Sequence, residues 1–293
     1  MNVDRRSLMK GLLAGGALLA TGTPSWIFAA SPVPKPERHA LLLGGGPLDE
    51  AFAHGARAAC ASLAYDGLQI MQLKGGLLAD EREIARLLKP NSGTRWITVM
   101  DDAGAIVYLE WARTVGARLL SMGAHACPTD GACRIRHDLT ATSPDHSAGG
   151  LLASQAIHQA ADFSIVERFL RESPAEMGRL TSWGAPGFTS HRFTGSEAIH
   201  LHCSGCSLAD GCRLLDAEST EGWVQIPRPV CTAEPVAWRS QDWVESVGYA
   251  VTASALGAEC VRESCVSRAF VRWAGHEQTI RPTGRFVSFV MDM

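Results

Sequence analysis

Histidine and cysteine residues cluster between positions 200 and 212, and both types are common metal ligands. The cluster comprises His200, His202, Cys203, Cys206 and Cys212. On a strand, the two histidines would project from one face, because side chains alternate along a strand, and two such imidazoles can share a metal ion. The cysteine spacing C-x2-C-x5-C is loosely similar to that of zinc and iron–sulfur ligands. One interpretation is therefore a zinc or iron–sulfur site.

The cysteines have a second interpretation, because near neighbours pair as disulfides in an oxidising compartment. Of the nine cysteines, only Cys60 precedes residue 127, and it lies among alanines in a predicted helix, where a buried thiol is unreactive. The disulfide candidates are Cys127 with Cys133, Cys260 with Cys265, and Cys203, Cys206, Cys212 and Cys231 among themselves. Disulfides are favoured and imply no cofactor, while metal ligation and free thiols stay open.

A second group of polar residues follows predicted strands near the middle of the chain. Asp101 and Asp102 follow one strand, and His125 follows the next. Ligands of parallel sheets bind beyond the carboxyl ends of the strands, and paired carboxylates can bind a metal, an amine or a hydroxyl, or act as a base. These three residues are therefore the candidate ligand pocket. The alternative is structural, with one aspartate capping a helix, the other favouring its positive end, and a solvated histidine.

Strands and helices alternate between residues 39 and 123 with short links. Continuous apolar runs are typical of buried parallel strands, and each is followed by a helical pattern. The predicted strands are 39–46, 68–73, 95–100 and 117–123, and the predicted helices are 47–67, 77–90 and 101–116. The alternation predicts parallel βαβ units, and so an α/β three-layer sandwich with a mostly parallel, Rossmann-like sheet.

The C-terminal part of the chain has a more mixed pattern. Predicted helices cover 143–163, with a continuation to 171, and 240–257 with Ser240 as N-cap, whereas 173–196 has the composition of a loop. Predicted strands are 198–203, 222–227 and 285–292. No linker separates the two parts, so we expect a single α/β domain over 39–293, with regular repeats to 125 and a mixed extension over 126–293.

Composition and motifs argue against several function classes. The net charge of -3 gives no field for nucleic-acid binding, and no apolar run outside the leader is long enough to span a membrane. The glycines at 44–46 match neither G-x-G-x-x-G nor G-x-x-x-x-G-K-[ST], and Asp49 and Glu50 occupy the helix start that a phosphate would need. A hydrolase using Asp101, Asp102 and His125 lacks an apparent nucleophile.

The first thirty residues have the order of an export signal. Arg5, Arg6 and Lys10 precede an apolar stretch over 11–20, and Ala29 and Ala30 precede a Pro-rich spacer over 31–38. The segment DRRSLMK resembles a twin-arginine signal, whose pattern is S/T-R-R-x-F-L-K, with mild departures at Asp4 and Leu8. The resemblance implies a bacterial protein exported folded to the periplasm by the twin-arginine machinery, in some cases with a co-exported partner subunit.

These observations leave two main functional hypotheses. The first is an exported periplasmic α/β protein that binds a small ligand or is an accessory protein of exported redox enzymes. The alternative is a metal- or iron–sulfur-dependent periplasmic redox enzyme that uses the region from His200 to Cys212.

The signal predicts an export defect in the double variant Arg5→Lys, Arg6→Lys. Lysine preserves the positive charge that an ordinary secretory signal needs but removes the paired guanidinium groups, so precursor should accumulate in the cytoplasm. Cell fractionation and intact mass would detect the precursor and, in the wild type, cleavage after Ala29 or Ala30. Unchanged export of the variant, or export in a strain without the twin-arginine pore, contradicts the assignment.

Overall fold

The structure, a computed structural model, describes residues 36–75, 77, 93–127, 134–159, 161–170, 187–195, 198–214, 219–226, 238–258, 265–274 and 282–293. Within these ranges, eleven strands form one sheet with five α-helices, which confirms the predicted α/β class. The predicted signal and nearly all of the predicted helix 77–90 lie outside the described residues. No helix in the described ranges is both long and apolar enough to cross a membrane.

The strands and helices have the following bounds. The strands are β1 Arg38–Leu43, β2 Leu68–Gln72, β3 Thr94–Met100, β4 Arg118–Cys127, β5 Arg134–Ala141, β6 Asp162–Phe169, β7 Thr189–Phe193, β8 Ile199–Ser204, β9 Trp223–Gln225, β10 Ser267–Arg272 and β11 Gly284–Asp292. The α-helices are α1 Asp49–Ser62, α2 Asp102–Thr114, α3 Gly149–Ala156, α4 Leu208–Leu214 and α5 Trp243–Ala255, and a 3-10 turn covers Pro144–His146.

The strand order is β2-β1-β3-β11-β4-β5-β6-β10-β8-β7-β9. Four neighbouring pairs are parallel and six are antiparallel, so the prediction of a mostly parallel sheet is wrong. The first three strands do pair in parallel, as their βα repeats predict. The C-terminal strand β11 then inserts between β3 and β4 and runs antiparallel to both.

Several elements of the C-terminal part also differ from the prediction. The segment predicted as a helix over 143–171 instead contains the 3-10 turn, the short α3 and then β6. Its last part is a strand because both sides are buried, with Phe163 and Ile165 on one face of the sheet and Ser164 and Val166 on the other. Strand β7 lies in the predicted loop over 173–196. The predicted strands over 198–203, 222–227 and 285–292 are confirmed as β8, β9 and β11.

The start of α5 also differs from the sequence prediction. The cap of this helix is Asp242 rather than Ser240, since the Asp242 carboxylate accepts hydrogen bonds from the Val244 and Glu245 amides at 2.8 and 2.9 Å. A carboxylate at this position satisfies two amides that have no partner within the helix.

The two faces of the sheet carry separate apolar layers. Helices α1, α3 and α5 pack on one face over side chains that include Leu41, Ile97, Phe163 and Phe270. On the other face, Tyr108 and its neighbours in α2 pack over Trp96 and Phe289. Helix α4 packs on the same face over Leu201, Cys203 and Val271. We call the first face, which carries α1, α3 and α5, the α5 face.

Helices α1 and α5 approach each other closely through two glycines. A Cβ atom on Gly55 would lie 2.0 Å from the Glu245 carbonyl oxygen, and one on Gly248 would lie 2.1 Å from the Phe52 carbonyl oxygen. His54 of α1 also contacts the Glu245 carboxylate of α5 at 2.7 Å. The pair forms a tight double layer over the α5 face.

This contact predicts that Gly248→Ala destabilises the protein. The added methyl group meets backbone that cannot move without separating α1 from α5, so we expect a loss of about 2–3 kcal/mol in urea unfolding. Gly104→Ala in α2 is the matched control, because the nearest atom to its Cβ is an Asp101 carboxylate oxygen at 3.2 Å. Equal losses in both variants would show that the α1–α5 contact is not the constraint.

Candidate functional site

Polar side chains cross the α5 face of the sheet in two adjacent rows, where apolar residues are expected. One row aligns Ser288, Glu167, Arg268 and His200 through the strand register, and the next aligns His125, His137 and His202. All seven are buried. Buried polar groups are unfavourable unless hydrogen-bonded, so their partners determine what these rows can do.

Three of these side chains form a hydrogen-bonded chain across β5, β4 and β11. His125 Nδ1 lies 2.9 Å from His137 Nδ1, and His125 Nε2 lies 2.8 Å from the Ser288 hydroxyl. The ring of His125 fits because Gly123 has no side chain, and a Cβ there would lie 2.6 Å from His125 Nε2. Burial lowers the pKa of His125 well below its usual value and that of His137 to about 3, so both rings are neutral.

Ser288, His125 and His137 are the residue types of a nucleophile, a base and an orienting group, but a substrate cannot reach them. Ser288 is 1% exposed, and the adjoining cavity measures about 10 Å³, which is about the size of one water molecule. Hydrolysis requires the nucleophile to approach a substrate carbonyl group. The arrangement therefore stabilises the core rather than forming a hydrolase site.

Glu167 and Arg268 form a buried ion pair beside this chain. Arg268 Nε donates to Glu167 Oε2 at 2.8 Å, and each side chain is 1% exposed. The other Glu167 oxygen accepts hydrogen bonds from the Ala148 and Gly149 amides at the start of α3, both at 3.1 Å. Ser147 contacts both partners. The carboxylate thus neutralises the positive end of α3 and the guanidinium together.

The structure does not bring Asp101, Asp102 and His125 together. The Asp101 carboxylate accepts a hydrogen bond from the Gly104 amide at 2.6 Å and caps α2. Asp102 pairs with Arg285 at 2.6 Å. His125 instead points into the α5 face, opposite the face that carries α2, and its ring bonds to His137 and Ser288. The pocket expected from these three residues is therefore not assembled, because helix capping and strand alternation direct them apart.

The glycines after β1 bind a carboxylate of the same chain. Asp49 accepts hydrogen bonds from the Gly45 and Gly46 amides at 2.7 and 3.1 Å, and burial raises the pKa of Asp49. In a nucleotide-binding fold, such amides would face a phosphate. Asp49 takes the place of that anion here, in agreement with the absence of a phosphate-binding motif.

Strand alternation divides the predicted metal-ligand cluster. His200 and His202 lie on the α5 face, and His202 Nδ1 lies 2.8 Å from the Ser190 hydroxyl. Cys203 packs on the opposite face with Cys206 and Cys212. In the part of the chain that the structure describes, no three His, Cys, Asp or Glu side chains are placed to hold one metal ion. The combined His–Cys site expected from the spacing is therefore not assembled.

Cys203 and Cys206 form a close thiol pair where β8 ends. The Cys203 thiol donates to the Ser207 carbonyl oxygen at 3.8 Å, and the Cys206 thiol donates to the Val271 carbonyl oxygen at 3.7 Å. The neighbouring Cys203 thiol lowers the pKa of Cys206 and the Arg134 guanidinium also lowers it, whereas burial and the Asp210 carboxylate raise it. The adjacent Cys206 sulfur and burial raise the pKa of Cys203. Cys203 is buried, whereas Cys206 is partly exposed. The pair is therefore asymmetric, with an accessible acidic thiol beside a buried, protonated one.

The turn that carries this pair is fixed by the end of β10. The Trp273 amide donates to the Ser204 carbonyl at 2.9 Å. Gly205 has a φ of +69°, and a Cβ there would lie 2.1 Å from the Trp273 carbonyl oxygen. Both the left-handed conformation and the close approach require glycine. The Arg134 guanidinium lies 5.0 Å above the ring of Trp273, on the same side of the molecule.

The predicted disulfides are only partly covered by the described residues. Cys203, Cys206 and Cys212 are not disulfide-bonded to one another, and Cys60 is a buried free thiol in α1. Cys133, Cys231 and Cys260 lie outside the described residues, so the pairings of Cys127 and Cys265, and any pairing with Cys231, stay predictions.

The sequence interpretation missed six residues that define these features, namely His137, Ser288, Glu167, Arg268, Arg134 and Trp273. A signal for two of them is present locally, because His137 and Glu167 each interrupt the buried side of an otherwise apolar strand. A polar residue at such a position indicates a buried partner. The other four depend on strand neighbours that are distant in sequence.

The neutral histidine pair predicts a loss of stability in acid. The unfolded chain titrates its histidines near pH 6.5, so below that pH it binds more protons than the folded protein. Stability is fully present above pH 6.5 and falls as the pH drops toward about 3, the folded-state pKa of His137. Between these pH values, each buried neutral histidine lowers the free energy of unfolding by about 1.4 kcal/mol for every pH unit of acidification.

His137→Phe isolates one of these contributions, since it replaces the imidazole beside Trp243 with an aromatic ring that has no titratable group. Urea unfolding between pH 6 and pH 4 should show a slope smaller by about 1.4 kcal/mol per pH unit than in the wild type. The remaining histidines are present in both proteins, and His125, which contacts His137, keeps a low pKa because burial is the larger cause of its shift. Identical slopes would mean that His137 is protonated in the folded state or exposed.

The chain has no match among protein-family models, curated proteins or solved structures. The geometry of its own side chains is therefore the basis for assigning a function. Of the features above, the pair Cys203–Cys206 is the one that combines reactive groups with access from solvent.

Proposed function

We propose that this chain is an exported thiol–disulfide redox protein whose redox centre is the pair Cys203 and Cys206. The observation that carries the proposal is the contact between a buried thiol and a partly exposed one across a C-x-x-C turn at the end of β8. The two thiols lie beside each other in one apolar cluster, so a disulfide between them requires the sulfur atoms to approach to about 2.05 Å.

The asymmetry of the pair assigns a role to each thiol. The Cys206 thiolate attacks one sulfur of an incoming disulfide, and the other sulfur leaves as a thiolate that takes a proton from solvent. Cys203 then loses its proton and attacks the Cys206 sulfur, which releases the second substrate thiol. The incoming disulfide is reduced to two thiols as the two cysteines are oxidised to one disulfide, and the reverse reaction oxidises a dithiol substrate.

The order of the two roles is set by the fold. Cys203 is a residue of β8 whose side chain faces α4. A Cβ atom on Gly211 of α4 would lie 2.9 Å from the Cys203 sulfur. Cys206 lies in the turn beyond the strand, and its thiol is 3.7 Å from the Val271 carbonyl oxygen. The second cysteine of the motif is thus the attacking thiol, and the first is the resolving thiol.

Export by the twin-arginine route belongs to the proposal, with the leader DRRSLMK as its support. A periplasmic location gives the pair an oxidising environment and disulfide substrates. An accessory role beside exported redox enzymes, which the leader favours, fits a protein that exchanges disulfides with partner chains.

The redox proposal predicts that Cys206→Ser abolishes exchange. In mature protein equilibrated with glutathione buffers, the wild type should form a Cys203–Cys206 disulfide with a midpoint between roughly −270 and −120 mV, the range of thiol–disulfide catalysts. Peptide mapping after alkylation would identify the bond. The Cys206→Ser variant should lose this transition and the ability to reduce a model protein disulfide, because Cys203 alone is buried.

Cys212→Ser and Cys60→Ser are the matched controls, since both remove buried thiols but leave the pair intact. Both should keep the wild-type midpoint. A midpoint below about −300 mV would identify a structural disulfide and refute the proposal. A disulfide joining Cys203 to Cys212 in the wild type would refute the assignment of the pair.

A further inference from the structure

We propose that Arg134 and Trp273 form a binding surface beside Cys206 for small disulfides that carry carboxylate groups, an inference that rests on the proposed function. The two side chains come from different strands, β5 and the end of β10, and meet in a cation–π contact of 5.0 Å. The juxtaposition of a guanidinium, an indole ring and a reactive thiol is the feature that selects the ligand.

Arg134 is held in place without being neutralised. Its guanidinium lies over the Trp273 ring, and in the described ranges no ion pair includes it. A guanidinium that is ordered by an aromatic ring keeps its donors for an incoming anion. Bidentate hydrogen bonds to a carboxylate are the interaction that this group forms best.

Trp273 places this charge next to the thiol. Its amide is bonded to Ser204, and its side chain packs on the same apolar cluster as Cys206. Gly205 lets the turn lie directly against the Trp273 backbone. The indole ring therefore offers an apolar surface for the methylene and sulfur atoms of a ligand whose carboxylate reaches Arg134.

The acidic residue nearest to this turn has other partners. Asp210 accepts hydrogen bonds from the Ser207 amide and hydroxyl, and it pairs with Arg213. Its carboxylate also acts on the thiol pair, since it raises the pKa of both cysteines. Arg134 lowers the pKa of Cys206, and Asp162, its register neighbour on β6, accepts a hydrogen bond from the Ala274 amide at 2.7 Å. We therefore expect the carboxylate of an anionic disulfide to approach the Arg134 side of the turn rather than the Asp210 side.

The test compares three disulfides of different charge as oxidants of the reduced mature protein. Glutathione disulfide is anionic, 2,2'-dithiodipyridine is neutral and cystamine is cationic. After correction for the intrinsic reactivity of each reagent toward a free cysteine, the wild type should react about tenfold faster with glutathione disulfide than with cystamine. This ratio should fall toward one at high salt.

Three arginine variants separate the contributions. Arg134→Gln should lose the preference, whereas Arg134→Lys should retain part of it, because the charge remains but the bidentate geometry does not. Arg136→Gln removes the same charge from an exposed position on the same strand and should leave the ratio unchanged. The ratio cancels any change in the thiolate fraction of Cys206, which affects all three reagents equally.

The outcomes for the binding surface and for the redox centre are distinguishable. Formation of the Cys203–Cys206 disulfide by the neutral reagent without a charge preference would overturn the binding surface and leave the redox centre intact. If Arg136→Gln reduced the preference as much as Arg134→Gln, the binding surface would also be overturned, since the preference would then reflect the overall charge of the protein. Failure of all three reagents to form the disulfide would overturn the redox centre itself.

Discussion

The buried ion pair between Glu167 and Arg268 sets the register of the centre of the sheet. Both side chains are 1% exposed, and a buried charge without its partner is strongly destabilising. A slip of β10 by one residue would turn Arg268 to the other face, among Leu201 and Val271, and leave Glu167 without its counter-ion. The pair therefore fixes β10 between β6 and β8.

The position of the thiol pair depends on this register. Because β8 pairs with β10 in parallel, the carboxyl ends of both strands lie on the same side of the sheet. The turn with Cys206 meets Trp273 there. Arg134 reaches the same side from the start of β5, which pairs in parallel with β6. A polar contact in the core thus determines the geometry of a site at the edge of the sheet.

The sequence predicts the N-terminal elements well because their information is local. The runs at β1, β2 and β3 are apolar and short, and each is bounded by glycine or charged residues, so their type and order could be read from pattern alone. The strand order of the whole sheet could not be read from the pattern, because β11 and β10 insert between strands that lie far from them in sequence. The register of such insertions depends on side-chain partners rather than on periodicity.

The candidate site was predictable only in its residue types. The cysteines of the cluster were identified, but their division from His200 and His202 follows from where β8 begins and ends, since alternation is defined only once the strand is known. The expected pocket at Asp101, Asp102 and His125 failed for a similar reason. Asp101 acts on the helix that follows it, and His125 is deep in a strand that extends to Cys127 rather than ending at 123.

The glycine in the thiol turn limits how this protein can evolve. In the redox centre proposed above, Ser204 and Gly205 are the two residues between the cysteines, where substitutions would change the relative stability of the dithiol and the disulfide. Here Gly205 is excluded from that variation by its left-handed backbone and by the Trp273 carbonyl oxygen. For the proposed centre, changes of reduction potential would therefore fall on Ser204 and on residues that the turn contacts, which include Trp273 at the end of β10.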